Sequence, residues 1–431
     1  MERLIIEGGR RLQGTVPVHG AKNGVLPLMA ATLLVRGSCR LTNCPRLTDV
    51  TAAARILTHL GCRVALQEDT VTVDAAAPCR WDVPDGLMRE MRSSIVFLGA
   101  ILARCGQAEL TFPGGCELGP RPIDLHLSAL RALGARISES GGRLCCRAPG
   151  GLRGAEVTLP FPSVGATENL LIAAAAARGE TVIRGAAREP EIGDLCEFLR
   201  ACGAGISRRG DLLTVEGGRP LTGCAHRVIP DRIEAATYLA AAAVTGGRVT
   251  LRGVEPDHMA PVLPAFREAG CRIWIRDRDL TLAAPPRLGR IRGIRTMPYP
   301  GFPTDAAPPV LAMCCTAGGT SLFVETIFEN RYRYAGELAR MGARIKVEDR
   351  VAVVEGVPRL AGAAVDCTDL RGGAALTVAA LAAEGTTSIG HLQHIRRGYA
   401  DLEQTLGALG ARITRTEEEN GAERHGGNET G

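Results

Sequence analysis

Six polar segments each stand directly ahead of an Ala- and Leu-rich stretch: Lys22-Asn23, Arg92-Ser93-Ser94, Ser163-Val164-Gly165, Asp231-Arg232, Thr304-Asp305 and Asp369-Leu370-Arg371. If each heads a helix, each brings free backbone N–H groups and a partial positive charge to its own position. Gathered at one cleft, such ends would hold a polyanion. Serine, aspartate and asparagine at these places also fit ordinary N-caps. Lysine and arginine are not caps, so those positions point to ligand binding. Of 51 basic residues only Lys22 and Lys346 are lysines, and a lysine kept in such an arginine-rich chain suggests a need for a compact ammonium.

The segment Pro113-Gly114-Gly115-Cys116-Glu117-Leu118-Gly119-Pro120-Arg121-Pro122 reads as a loop rather than an element interior. Most other cysteines lie on apolar helices or strands; Cys116 does not. A thiol with an ordinary pKa of about 8.5 is mostly protonated at neutral pH and can donate that proton, and Arg121 nearby would lower the value. His391 and His394 have a spacing that could bind metal, but no third ligand accompanies them.

Composition narrows the classes. The chain has 431 residues, 45% hydrophobic, enough for two or three domains with sizeable cores. Its 15 aromatic residues are too few for interleaved base-stacking platforms. The longest apolar run, Leu170 to Ala177, falls far short of the roughly 20 residues that span a bilayer. Met1 to Ile6 reads as a strand, not a signal peptide. Fifteen scattered cysteines without C-x-x-C spacing argue for a reducing cytosol and against a disulfide framework. The net charge of +5 divides unevenly: residues 417–431 carry five Glu and one Arg, −4, leaving +9 on residues 1–416. That excess suits an anionic small molecule rather than nucleic acid or membrane. Residues 419–431 are expected to be disordered.

The positioning elements repeat. A helix end running into a strand recurs at Gly61, Gly134, Gly203, Gly270, Gly342 and Gly410, with spacings of 67 to 73 residues. Each glycine reads as a helix C-cap. Six nearly all-apolar helices, within 23–43, 93–111, 167–185, 234–253, 305–325 and 372–390, must be buried on most faces. A third piece, a strand followed by R-x-L-x-G and another strand, closes each unit. The sixth unit lacks it, and residues 3–20 supply it. The chain therefore reads as a permuted ring in two domains: one over 21–229 carrying the loop 113–122, the other combining 1–20 with 230–418. A cleft lies between them.

The motifs GAKNGVLPL (20–28), MRSSIVFLG (91–99), PGGCELGPRPIDLH (113–126), PSVGATEN (162–169), AAREPEI (186–192), IPDRIE (229–234), FPTD (302–305), FENRYRY (328–334), TDLRGGAAL (368–376) and RRGY (396–399) resemble those of the enolpyruvyl transferase family, on its UDP-N-acetylglucosamine 1-carboxyvinyltransferase side. The resemblance covers residues 1 to about 416. It implies an α/β fold of two domains, each of three βαβαββ units with the helices inside, an inside-out α/β barrel. It also implies transfer of the enolpyruvyl group of phosphoenolpyruvate to the 3'-hydroxyl of UDP-N-acetylglucosamine with release of phosphate, and no metal or redox cofactor. That would be the first committed step of peptidoglycan synthesis, a cytoplasmic role in cell-wall biogenesis, cell shape and division.

By the same resemblance Lys22, Arg121 and Arg397 hold the phosphate, while Arg331 and Arg371 face the enolpyruvyl carboxylate. Asn23, Arg92, Arg121, Pro122, Ile123, Asp124, Leu125, Ser163, Val164, Gly165, Asp305 and Ile327 contact the sugar nucleotide or its neighbour. Cys116 can form an adduct with phosphoenolpyruvate and serves acid catalysis or product release; Asp305 is the base at the attacking hydroxyl. Glu189 and Asp369 are charged cleft positions. The sequence departs from the family at Phe161, where some relatives have lysine, and at Ala306-Ala307-Pro308-Pro309, where a polar stretch is common. Two rivals remain. The sister reaction on shikimate 3-phosphate needs no Cys loop, and a non-catalytic sugar-nucleotide-binding paralogue would not keep every charged position.

Overall fold

The computed structural model describes residues 2–77, 79–91, 93–112 and 123–417. Cys116, Arg121 and Pro122 of the loop, Arg92 and the tail 419–431 therefore lie outside the described residues. The six glycines that end the repeated helices all adopt positive φ, between 90° and 107°, the left-handed conformation that a helix C-cap favours.

Six helices form where the apolar stretches were read: α1 (Lys22–Ala31), α2 (Phe97–Cys105), α3 (Val164–Ala176), α4 (Arg232–Val244), α5 (Ala307–Cys314) and α6 (Leu370–Ala382). Short 3₁₀ turns precede α2 and α5, at Ser94–Val96 and Thr304–Ala306. Alanine-rich sequences let these helices lie close together with little side-chain entropy to lose. α4, α5 and α6 pack on one another; α2 packs on both α1 and α3. Ser163, Asp231 and Asp369 do cap α3, α4 and α6, accepting bonds from first-turn backbone N–H groups.

Among the described residues six small sheets surround the helices, five of four strands and one of three. Glu2–Glu7 at the N-terminus pairs antiparallel with both Thr386–Gly390 and Arg412–Glu417 near the other end of the chain. The closing piece behaves differently from its sequence reading. Its first strand stays in its own sheet, while its second crosses to lie parallel to a strand of the next unit. Thus Glu156–Thr158 pairs with Gly179–Arg184, Ala225–Arg227 with Ser38–Thr42, and Gln13–Pro17 with Arg248–Arg252. The glycine of the closing motif explains the crossing. A Cβ on Gly154, Gly223 or Gly362 would stand only 2.1, 2.1 or 2.3 Å from the carbonyl oxygen of Glu180, Ser38 or Thr386. Only a residue without a side chain can enter the next sheet there.

The buried apolar side chains form two clusters. One runs from Val25 to Val228 and is joined by Ala400; the other combines Leu4–Val18 with residues from Ile233 to Leu409. Together these features make the inside-out, two-domain α/β arrangement. No helix among the described residues is long and apolar enough to cross a membrane.

Candidate active site

Lys22 opens α1 with 8% of its surface exposed, and its Nζ lies 2.8 Å from Asp49 Oδ2. Asp49, on the helix Thr48–His59, is 1% exposed. Its carboxylate also accepts two bonds from Arg397, Nε to Oδ1 at 3.0 Å and Nη2 to Oδ2 at 3.2 Å. Burial alone would raise the Asp49 pKa, but Lys22 and Arg397 outweigh it and hold the carboxyl below its ordinary range. Burial pushes Lys22 down to about 8; Asp49 opposes the shift, and Arg397 and Arg371 add to it. The backbone N–H of Lys22 donates to Asp231 Oδ2 at 3.2 Å, which ties the start of α1 to the cap of α4.

A second carboxylate gathers two more cations. Asp305 Oδ1 receives Arg331 Nη2 at 2.9 Å and Oδ2 receives Arg371 Nη2 at 3.1 Å. Arg331 and Arg371 are 1% and 2% exposed. Arg331 Nε and Arg371 Nε and Nη1 make no hydrogen bond within the described residues. Buried guanidinium N–H groups left free are costly unless an anion arrives. Burial would raise Asp305, but Arg371 and Arg331 win and hold it well below its ordinary range. With both oxygens taken, the expected base is in this arrangement a poor proton acceptor. Arg371 lies over the Tyr399 ring at 5.4 Å and Arg331 over Phe328 at 5.5 Å, contacts that keep both forks in place.

The remaining expected positions that the structure describes stand on elements of their own. Glu189 occupies the N-cap position of the helix Pro190–Ala201 without bonding its first turn; its Oε1 accepts from the Tyr299 N–H at 3.1 Å, and burial raises its pKa. Asp369, at the head of α6, accepts from the Arg371 and Gly372 N–H groups at 3.0 and 3.1 Å. Asn23 is exposed on the first turn of α1. Ile327 lies on a turn whose N–H bonds Glu325 Oε1 at 2.7 Å. Ile123, Asp124 and Leu125 begin the helix Asp124–Ala132, which packs on α3 below Ser163, Val164 and Gly165. Gly165 backs onto His126, whose Cε1 would be 3.0 Å from an added Cβ.

Three supporting positions escaped the sequence reading, and a fourth, Arg232, read there as pointing to a ligand, is tied to a carboxylate of the chain itself. Asp49 looked like any first-turn acid. Glu325, 1% exposed, accepts from Thr304 Oγ1 and from the Ile327 and Phe328 N–H groups, fixing the approach to α5. Asn169 accepts from the Gly99 N–H and donates to Ile95 O and His126 Nδ1, locking three helices together. Arg232 reaches across to Glu191 at 3.0 and 3.2 Å, between segments of the two cores. Only Asn169 carried a hint, as a polar residue inside an apolar helix.

Three buried cations, Lys22, Arg331 and Arg371, and the half-buried Arg397 thus gather on two carboxylates, Asp49 and Asp305. The family described as EPSP synthase (3-phosphoshikimate 1-carboxyvinyltransferase) matches residues 6–406, and the chain belongs to this enolpyruvyl transferase family. It is 51% identical over 420 residues to a protein of Symbiobacterium thermophilum named UDP-N-acetylglucosamine 1-carboxyvinyltransferase 1, covering 96% of this chain and 95% of the relative. A Zymomonas mobilis protein of the same name, unnumbered, is 49% identical over 96% of this chain and 99% of its own. Among solved structures, the enolpyruvyl transferase NikO from Streptomyces tendae superposes with a TM-score of 0.86 at 26% identity, covering 96% of this chain and 99% of its own. EPSP synthase from Acinetobacter baumannii superposes at 0.73 and 20% identity over 97% and 100%, a likeness of fold alone.

Proposed function

We propose that this chain transfers the enolpyruvyl group of phosphoenolpyruvate to the 3'-hydroxyl of UDP-N-acetylglucosamine and releases phosphate. The observation that carries the reading is the pair of cation clusters, Lys22 and Arg397 on Asp49 and Arg331 and Arg371 on Asp305, the second with buried guanidinium N–H groups left unbonded. Phosphoenolpyruvate presents two anionic groups, a phosphate and a carboxylate, and the two cation clusters match them. Arg331 and Arg371 receive the carboxylate, and Lys22, Arg397 and Arg121 the phosphate. An incoming carboxylate relieves Asp305 of one guanidinium and so restores its basicity toward the sugar hydroxyl. The hydroxyl oxygen adds at C2 as its proton passes to Asp305, and C3 takes a proton from an acid, to which we assign Cys116. Loss of a C3 proton and cleavage of the C2–O bond then release phosphate and leave the enol ether.

Asn23, Arg92, Ile123 to Leu125, Ser163 to Gly165 and Ile327 would face the sugar nucleotide. We take 21–229 as one domain and 1–20 with 230–418 as the other, a division supported by the two separate apolar cores. In a cell the product would feed peptidoglycan synthesis in the cytoplasm, and with it cell shape and division. A phosphate-release assay tests the reading. UDP-N-acetylglucosamine with phosphoenolpyruvate should liberate phosphate, and shikimate 3-phosphate should not. Phosphate from the second pair alone, or from neither, overturns it.

A further inference from the structure

Far from the cleft, three thiols converge. Cys39 stands on the strand Ser38–Thr42, Cys202 ends the helix Pro190–Ala201, and Cys224 lies on the segment that crosses to pair with Ser38–Thr42. Their Sγ atoms all lie within 4.8 Å of one another, and those of Cys202 and Cys224 are 3.5 Å apart. Backbone bonds fix the three positions: Cys224 O accepts from the Arg40 N–H and Cys202 O from the Thr222 N–H, both at 2.9 Å. Cys39 and Cys202 are wholly buried and Cys224 is half-buried, so an ion would enter over Cys224.

The geometry suits one small thiophilic centre. Three sulfurs bound about 2.3 Å from one centre at the near-right angles of a pyramidal trivalent centre stand about 3.3 Å apart, and here Cys202 and Cys224 already lie at 3.5 Å with all three sulfurs within 4.8 Å. Thiolates select soft ions. Charge then discriminates among them. Among the described residues no lysine or arginine side chain makes a hydrogen bond to any of the three sulfurs. Three thiolates on a divalent ion would leave a net negative charge without a cation to offset it, which burial penalises. Three thiolates on a trivalent centre are neutral.

We propose that Cys39, Cys202 and Cys224 form a three-sulfur site for a trivalent thiophilic metalloid, supplied as arsenite. Each thiol forms an As–S bond as one As–O bond breaks, and each thiol proton leaves with a hydroxyl as water. Three waters are released and nothing is oxidised or reduced. The bound centre staples Ser38–Thr42, the end of the helix 190–201 and the strand that leads into the Ile229–Pro230 crossing. Glu189 stands just ahead of the other end of that 12-residue helix, about 18 Å away at 1.5 Å per residue, so the site is separate from the proposed cleft chemistry.

X-ray absorption at the arsenic edge on the full-length protein, loaded with one equivalent of arsenite, should report three sulfur neighbours. Alkylation of the unloaded and loaded proteins, mapped by mass spectrometry, should show Cys39, Cys202 and Cys224 protected together. Cys224→Ser, the least buried substitution, should lose the three-sulfur signature, whereas Cys105→Ser should retain it. Zinc added at equal concentration should not displace arsenic. Two-sulfur coordination, protection centred on Cys79 and Cys105, or displacement by zinc would overturn the proposal. The absorption and protection measurements need no variant, so a misfolded substitution leaves the test intact.

Discussion

Asp49 holds Lys22 and Arg397 at once, with Lys22 Nζ at 2.8 Å and Arg397 Nε at 3.0 Å, although Arg397 lies 348 residues further along the chain. One buried carboxylate thus preorganises two cations from different parts of the chain. Without it, Lys22 and Arg397 would repel each other across a dry site.

The Lys22 ammonium, with its pKa near 8, is charged below that pH and neutral above it. If it binds phosphate, kcat/KM for phosphoenolpyruvate should fall on an alkaline limb near pH 8, since this ratio reports the free enzyme. Asp49 raises the Lys22 value, so Asp49→Asn should move that limb to lower pH. A limb unmoved by the substitution would remove Lys22 from the titration.

Lys22→Arg should behave as a drastic change. Lys22 is 8% exposed and already 2.8 Å from its partner, so a broader guanidinium must displace either Asp49 or the phosphate. A misplacement of about 1 Å at a reacting centre costs about a hundredfold in turnover. Near-normal phosphate release would demote Lys22 to a structural cation.

Asp305→Asn should damage both stability and chemistry. It leaves the Arg331 and Arg371 guanidiniums without their shared anion, a loss of about 2 to 3 kcal/mol for a pair only partly buried on the acid side. The folded-state pKa of Asp305 is depressed below its ordinary 3.8. Its stabilising contribution is therefore complete above about pH 4 and is lost as pH falls through the folded value. Thermal melts should show the variant well below the wild type at pH 7, with the gap closing in strong acid. Equal melting temperatures at pH 7 would refute the two-arginine clasp.

The repeated framework was legible because its signals are local. A glycine after each helix, an apolar stretch of the right length and a cap residue all act within a few positions, and the six C-cap glycines and three of the caps stand where that logic puts them. Partner choice was not legible. Asp49 is indistinguishable in sequence from other first-turn acids, and only tertiary packing brings Arg397 to it. The crossing of the closing strand was hidden for the same reason. R-x-L-x-G marks a close approach, but the carbonyl approached belongs to the next unit. Cys39, Cys202 and Cys224 follow no metal-ligand spacing, so their convergence could be found only in space.

Cys116→Ser and Cys116→Asp separate two roles for the loop thiol. Serine keeps the shape but raises the proton's pKa by several units, so it cannot supply a proton at neutral pH. Phosphate release should then fall by orders of magnitude. Aspartate can still donate a proton, so Cys116→Asp should retain turnover while losing the covalent adduct seen by mass spectrometry. Five of the buried cysteines give the contrast. Burial pushes Cys44, Cys146, Cys271, Cys314 and Cys367 up to about 12, which leaves them inert to an epoxide at neutral pH. Cys116, with Arg121 five residues away, should be the thiol that such an inactivator labels, more slowly when UDP-N-acetylglucosamine closes the cleft over it. Wild-type turnover in Cys116→Ser, or labelling at another cysteine, would show that the acid is a different group.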